Sequence, residues 1–142
     1  MGLFDKLLGK GKDYPALDQS TPGAERLEKI RPQIESLAQQ VKDNLEVVVT
    51  DATDYILVGN PPSAFGVAWF EEGKVNNIKA LMQKKGLSQL QVQKISDKLR
   101  EAYQRSREAP RYSATIASRK VVFTPSKALG QDISNIISEV TA

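Results

Sequence analysis

The sequence predicts an α+β domain: an antiparallel sheet of about four to five strands with helices packed on one face, preceded by a short amphipathic N-terminal tail. Three observations carry this. Apolar residues recur at helical spacing in well-separated stretches. β-branched and aromatic runs come in neighbouring pairs joined by turn residues. The resulting order, roughly α-β-β-β-α-α-β-β-α, lacks the alternating βα units of a doubly wound parallel sheet. A chain of 142 residues fits one domain with a sizeable core.

Taken in order, Leu3, Phe4, Leu7 and Leu8 fall on one face of a two-turn helix. Residues 1–12 therefore read as an amphipathic basic tail. Residues 13–23 have no period and several breakers, and read as a linker. The domain proper is expected over 24–142. Leu27, Ile30, Ile34, Leu37 and Val41 form a helical stripe. Pro32 falls inside it and predicts either a kink or a turn followed by a new helix. Leu45–Thr50 and Tyr55–Val58 read as two strands of a hairpin, separated by the turn residues 51–54. A loop at 59–63 leads to a third strand, Gly66–Glu71.

Ile78, Leu81 and Met82 restore helical spacing until Gly86. Ser88 and Gln91 have the spacing of a capping box for the next helix, with Val92, Ile95, Leu99, Ala102 and Tyr103 on its buried face. Pro110 ends that segment. Tyr112–Ile116 alternates as a strand. Ser118–Lys120 reads as a turn into Val121–Phe123. Thr124 then reads as the cap, and Pro125 as the first residue, of a last helix. Its apolar face is Leu129, Ile133, Ile136, Ile137 and Val140, with Gly130 weakening its start.

Charge is unevenly distributed. Residues 24–72 carry a net −5, residues 73–123 a net +9, and the whole chain +3. A basic stretch beside an acidic one suggests an anionic partner. The chain contains neither cysteine nor histidine. That excludes disulfides, thiolate nucleophiles, Ser–His–Asp triads and ordinary zinc sites within one chain. The carboxylates Asp51, Asp54, Glu71 and Glu72 read as turn residues, with no second acid placed across a cleft. Neither a secretory signal nor an apolar run of about 20 residues is present, and the chain reads as cytoplasmic. We expect no enzyme activity, cofactor or metal.

Two surfaces are candidates for binding. The first is the tail, where Leu3, Phe4, Leu7 and Leu8 would insert and Lys6, Lys10 and Lys12 would supply attraction, peripherally on an anionic membrane or on a protein partner. The second is the basic segment 74–120, with Lys84, Lys85, Lys94, Lys98, Arg105, Arg111, Arg119 and Lys120 as the anion-binding set. Snorkelling cations beside a buried helix face would show the same pattern.

Three local resemblances bear on these surfaces. Met1-Gly2-Leu3-Phe4-Asp5, followed by basic and apolar residues, resembles the opening of membrane-remodelling phage-shock proteins and implies a membrane-facing tail. Gly86-Leu87-Ser88-Gln89 resembles the turn entering the second helix of helix-turn-helix repressors and implies a DNA contact. Gln93 and Asp97 depart from that pattern, standing where a small residue and a glycine are expected. Asn60-Pro61-Pro62-Ser63 resembles the Asn-Pro-Pro-aromatic loop of amino-group methyltransferases, with Ser63 in place of the aromatic. The expected function is a non-catalytic adaptor or interaction domain docking through its tail. The alternative is a nucleic-acid-binding module using segment 74–120. A homodimer is a further way to satisfy the opposed charges.

Overall fold

The computed structural model describes residues 14–50, 53–61, 63, 65–71 and 74–141. Among the described residues, four helices flank one mixed sheet. In chain order the elements are α1 (Pro22–Gln40), β1 (Leu45–Val48), β2 (Tyr55–Gly59), β3 (Phe65–Glu71), β4 (Lys74–Asn77), α2 (Ile78–Lys85), α3 (Gln89–Arg105), β5 (Tyr112–Ile116), β6 (Arg119–Thr124) and α4 (Lys127–Thr141).

The sheet order is β4-β3-β2-β1-β6-β5. This corrects the expected architecture in three respects. The described sheet has six strands, because Lys74–Asn77 pairs antiparallel with β3 despite carrying a single apolar residue, Val75. It is mixed, because β6 lies parallel to β1, with Glu46 opposite Val122. Its helices cover both faces. On one face α1 buries Leu27, Ile34 and Leu37 against Val47, Ile56, Val121 and Phe123. On the other, α2, α3 and α4 pack over Val48, Tyr55, Leu57 and Val67. The cause is visible in β1, which is buried at all four positions. A strand covered on both faces loses the apolar–polar alternation of a half-solvated one.

Local chemistry fixes the helix ends. Thr21 caps α1 by accepting from the Ala24 N–H at 3.3 Å, and Pro22 occupies the first turn, where a missing N–H costs nothing. Pro32 does not break α1, which runs on to Gln40. The Ser88–Gln91 capping box forms in both directions, at 3.2 and 2.9 Å. Gly86 closes α2 in the left-handed conformation, φ 66°. The cap of α4 is Ser126 rather than Thr124: its Oγ accepts from the Leu129 N–H at 3.2 Å. Thr124 instead ends β6. The β5–β6 turn is Ala117–Ser118, one step earlier than expected. Both residues have positive φ, 53° and 63°, the pattern of a type I′ turn between twisted strands. Arg119 and Lys120 already belong to β6.

Gly130 has a positive reason to be glycine. A Cβ there would lie 1.9 Å from Thr50 Cγ2, so α4 can press onto the end of β1 only without a side chain. Among the described residues no helix is long and apolar enough to cross a membrane.

Candidate functional site: a buried ion pair beside a small cavity

β5 and β6 direct Tyr112, Ala114, Ile116, Val121 and Phe123 towards α1. The intervening residues Ser113, Lys120, Val122 and Thr124 therefore face the other side of the sheet. There Glu46 of β1 is 5% exposed and Arg111, just ahead of β5, is 7% exposed. Arg111 Nε donates to Glu46 Oε2 at 3.1 Å, and Thr124 Oγ1 donates to the same oxygen at 2.8 Å. Tyr103 Oη, from the last turns of α3, donates to Glu46 Oε1 at 2.8 Å. Arg111 also bonds the Ser106 carbonyl and hydroxyl, both at 3.0 Å, and its guanidinium lies 4.7 Å from the Tyr103 ring centroid. No buried side-chain polar atom among the described residues lacks a partner. A carboxylate removed from water needs such a set of donors to remain charged.

Burial pushes the Tyr103 phenol well above its ordinary value, and the adjacent Glu46 carboxylate adds to that. The Tyr14 phenol is also raised, by burial first; Arg111 opposes the shift and Glu46 reinforces it. Both phenols are thus held neutral beside the ion pair.

A cavity of about 150 Å³ adjoins this network. Tyr14, Glu46, Tyr103, Ser113 and Val122 line its inner part, together with Asn44, Asn60, Pro61 and exposed Lys120. Asn44 Nδ2 donates to Asn60 Oδ1 at 2.8 Å across its rim.

Tyr14 reaches the cavity because the chain ahead of α1 is fastened to the sheet edge. The Leu17 N–H donates to the Ser113 carbonyl at 2.9 Å, the Ser113 N–H to the Pro15 carbonyl at 2.8 Å, and Ser113 Oγ to the Tyr14 carbonyl at 3.1 Å. Ala16 makes a parallel bridge with Ser113, and Leu17 is buried against the α1 side of the core. Within the span read as a linker, these residues thus line the outer edge of β5.

The expected site residues are distributed as follows. Leu3, Phe4, Lys6, Leu7, Leu8, Lys10 and Lys12 lie outside the described residues. Of the basic set, Lys84 and Lys85 end α2, and Lys85 Nζ donates to the Thr141 carbonyl at 3.2 Å. Lys94 is exposed on α3. Lys98 pairs with Glu139, and Arg105 with Asp132 at 3.3 Å, both tying α3 to α4. Arg111 is enclosed with Glu46 rather than presented on a surface. Arg119 closes the C-terminal end of α1, donating to the Ala38 and Val41 carbonyls at 2.8 Å and to those of Lys42 and Asp43. The structure therefore does not bring the basic residues together on one plane.

Glu46 is not among the residues that the sequence marks for a site. Its signal was a single charge inside the apolar run Leu45–Val49. Comparison of the chain with protein-family models, curated proteins and solved structures finds no match.

Proposed function

We propose that this chain is a non-catalytic interaction domain that docks on a protein partner or an anionic membrane surface through its N-terminal tail. The observation that carries the reading is the fastening of Tyr14–Leu17 along β5. It gives the tail a fixed point of departure at the sheet edge, so a partner bound by residues 1–12 would be held beside a rigid body rather than on a tether. Burying each of Leu3, Phe4, Leu7 and Leu8 contributes about 1.5–3 kcal/mol. Each of Lys6, Lys10 and Lys12 contributes about 1 kcal/mol near an anionic leaflet. Ordering the tail offsets much of this, so docking is reversible.

The nucleic-acid alternative draws less support. Lys98, Arg105, Arg111 and Arg119 are engaged within the fold on three different parts of the surface and interior.

The test is a double substitution, Leu3→Ser with Phe4→Ser, in the full chain. Recovery on anionic vesicles or on the captured partner is expected to be lost while the circular dichroism spectrum is unchanged. Equal recovery by the variant refutes the proposal. Light scattering on the full chain and on a version lacking residues 1–12 separates docking from self-assembly. A change from oligomer to monomer on truncation would assign the tail to self-association instead.

A further inference from the structure

The cavity beside Glu46 is independent of the tail reading, and its walls have a definite chemistry. Its size comes first. At about 150 Å³ it matches a cavity known to accommodate a benzene ring, and it falls below the roughly 300 Å³ at which drug-sized sites begin. This volume suits a single ring.

Charge is the second constraint. Glu46 and Arg111 neutralise each other at 3.1 Å, and the Arg111 donors are directed to Glu46, Ser106 and Ala109. The other charge on the lining, Lys120, is exposed, so an ionic ligand would lose hydration here without gaining a buried countercharge. The third constraint is hydrogen bonding. Asn44 and Asn60 use one N–H and one oxygen on each other. That leaves a carboxamide donor on one and a carboxamide acceptor on the other directed to solvent or ligand, whichever way the amides are assigned. Glu46 Oε1 accepts from Tyr103 and retains lone-pair capacity. A purely apolar ring would displace water from these groups without replacing its bonds. Val122 and Pro61 supply apolar wall.

We infer that this cavity is a binding site for a neutral, single-ring heterocycle that carries adjacent hydrogen-bond donor and acceptor groups, an amide-like edge matched to the Asn44–Asn60 pair. The ring rests against Val122 and Pro61, and its polar edge meets the carboxamides.

The experiment is a titration of the ¹⁵N-labelled full chain, followed by amide chemical shifts, with three probes of one-ring size: uracil, benzene and benzoate. Uracil is expected to shift the Asn44 and Asn60 side-chain amides and the Ser113 and Val122 backbone amides saturably. Benzene, which cannot replace the water bonded to Glu46 Oε1 and the exposed carboxamides, and benzoate, which finds no buried countercharge, are expected to bind about tenfold more weakly. Val122→Trp fills the wall and is expected to abolish the uracil shifts. Asn60→Ala, at an exposed position that leaves the core untouched, is expected to weaken them about tenfold. It carries the location test should the tryptophan variant fail to fold. Absent or unsaturable uracil shifts, shifts centred elsewhere, preference for benzene or benzoate, or uracil binding unchanged in Asn60→Ala would each overturn the assignment.

Discussion

Removing Arg111 alone should be among the most damaging single changes to this protein. The Arg111→Met variant keeps much of the aliphatic stem and deletes the guanidinium. Glu46, 5% exposed, would then retain only two neutral donors, Tyr103 and Thr124, each at 2.8 Å. Breaking a buried pair in this way costs about 3–5 kcal/mol. Arg111 also serves the Ser106 carbonyl and hydroxyl, so the upper half of that range is expected. The companion variant Glu46→Leu with Arg111→Met removes both charges. It should cost less than Arg111→Met alone: both variants lose the bonds to Ser106, but the double variant leaves no uncompensated buried charge, only the Tyr103 and Thr124 hydroxyls without their acceptor. Urea unfolding followed by the fluorescence of Trp69, the single tryptophan, measures both. Trp69 packs against the α2–α4 side of the core, the side to which Glu46 belongs. A cost below about 1 kcal/mol, or a double variant whose loss is the sum of the two singles, would refute the account of a dehydrated, mutually dependent pair.

Other consequences can be measured in the same way. Gly130→Ala should cost at least about 2 kcal/mol by forcing α4 away from β1, and Thr50→Ser, which removes the methyl group 1.9 Å from the new Cβ, should recover most of that loss in a thermal melt. Ala117→Asn with Ser118→Gly should stabilise the domain by about 0.5–1 kcal/mol, because both positions already have the positive φ those residues favour. Ser88→Ala should cost about 1 kcal/mol by opening the capping box of α3. Above pH 10 stability should decline: the Tyr103 phenol is raised in the folded state, so its contribution is complete below the ordinary phenol value and is lost as pH rises through the folded one. Tyr103→Phe should flatten that decline by up to about 1.4 kcal/mol per pH unit, and an unchanged slope in denaturant titrations across this range would argue against the burial of the phenol.

Local structure was legible in the sequence where local chemistry determines it. The Ser88–Gln91 box, the Gly86 stop and the stripes of α1, α3 and α4 all followed from spacing. What spacing could not supply was the partner of each strand. Val121–Phe123 reads as one arm of a hairpin, and it is one, but its other edge joins β1 across more than seventy positions of chain. The cue was present in Leu45–Val49: an almost unbroken apolar run suits a strand covered on both faces, and it implies helices on both. β4 escaped notice because Lys74, Asn76 and Asn77 carry no strand signature; it exists as the continuation of β3 into α2. Thr124 reads as a cap because Thr-Pro is a good helix opening, yet its hydroxyl donates to Glu46 instead. The basic residues were visible as a class but not by employment. Arg111 and Arg119 read as surface cations, whereas their partners, Glu46 and the carbonyls ending α1, lie some 65 and 76–81 positions away.

The central position of β1 also has a bearing on synthesis. Strands β1 to β4 form a meander of sequential antiparallel neighbours, which can assemble as soon as residues 45–77 are available. The strand that covers the other side of β1 arrives only with residues 119–124. During that interval β1, which is buried at all four positions in the finished sheet, is a bare edge of the kind that recruits other chains. Glu46 sits in the middle of it. A charge within an otherwise apolar edge strand disfavours intermolecular pairing, and Arg111, which neutralises it, and Thr124, which bonds it, both come later in the chain.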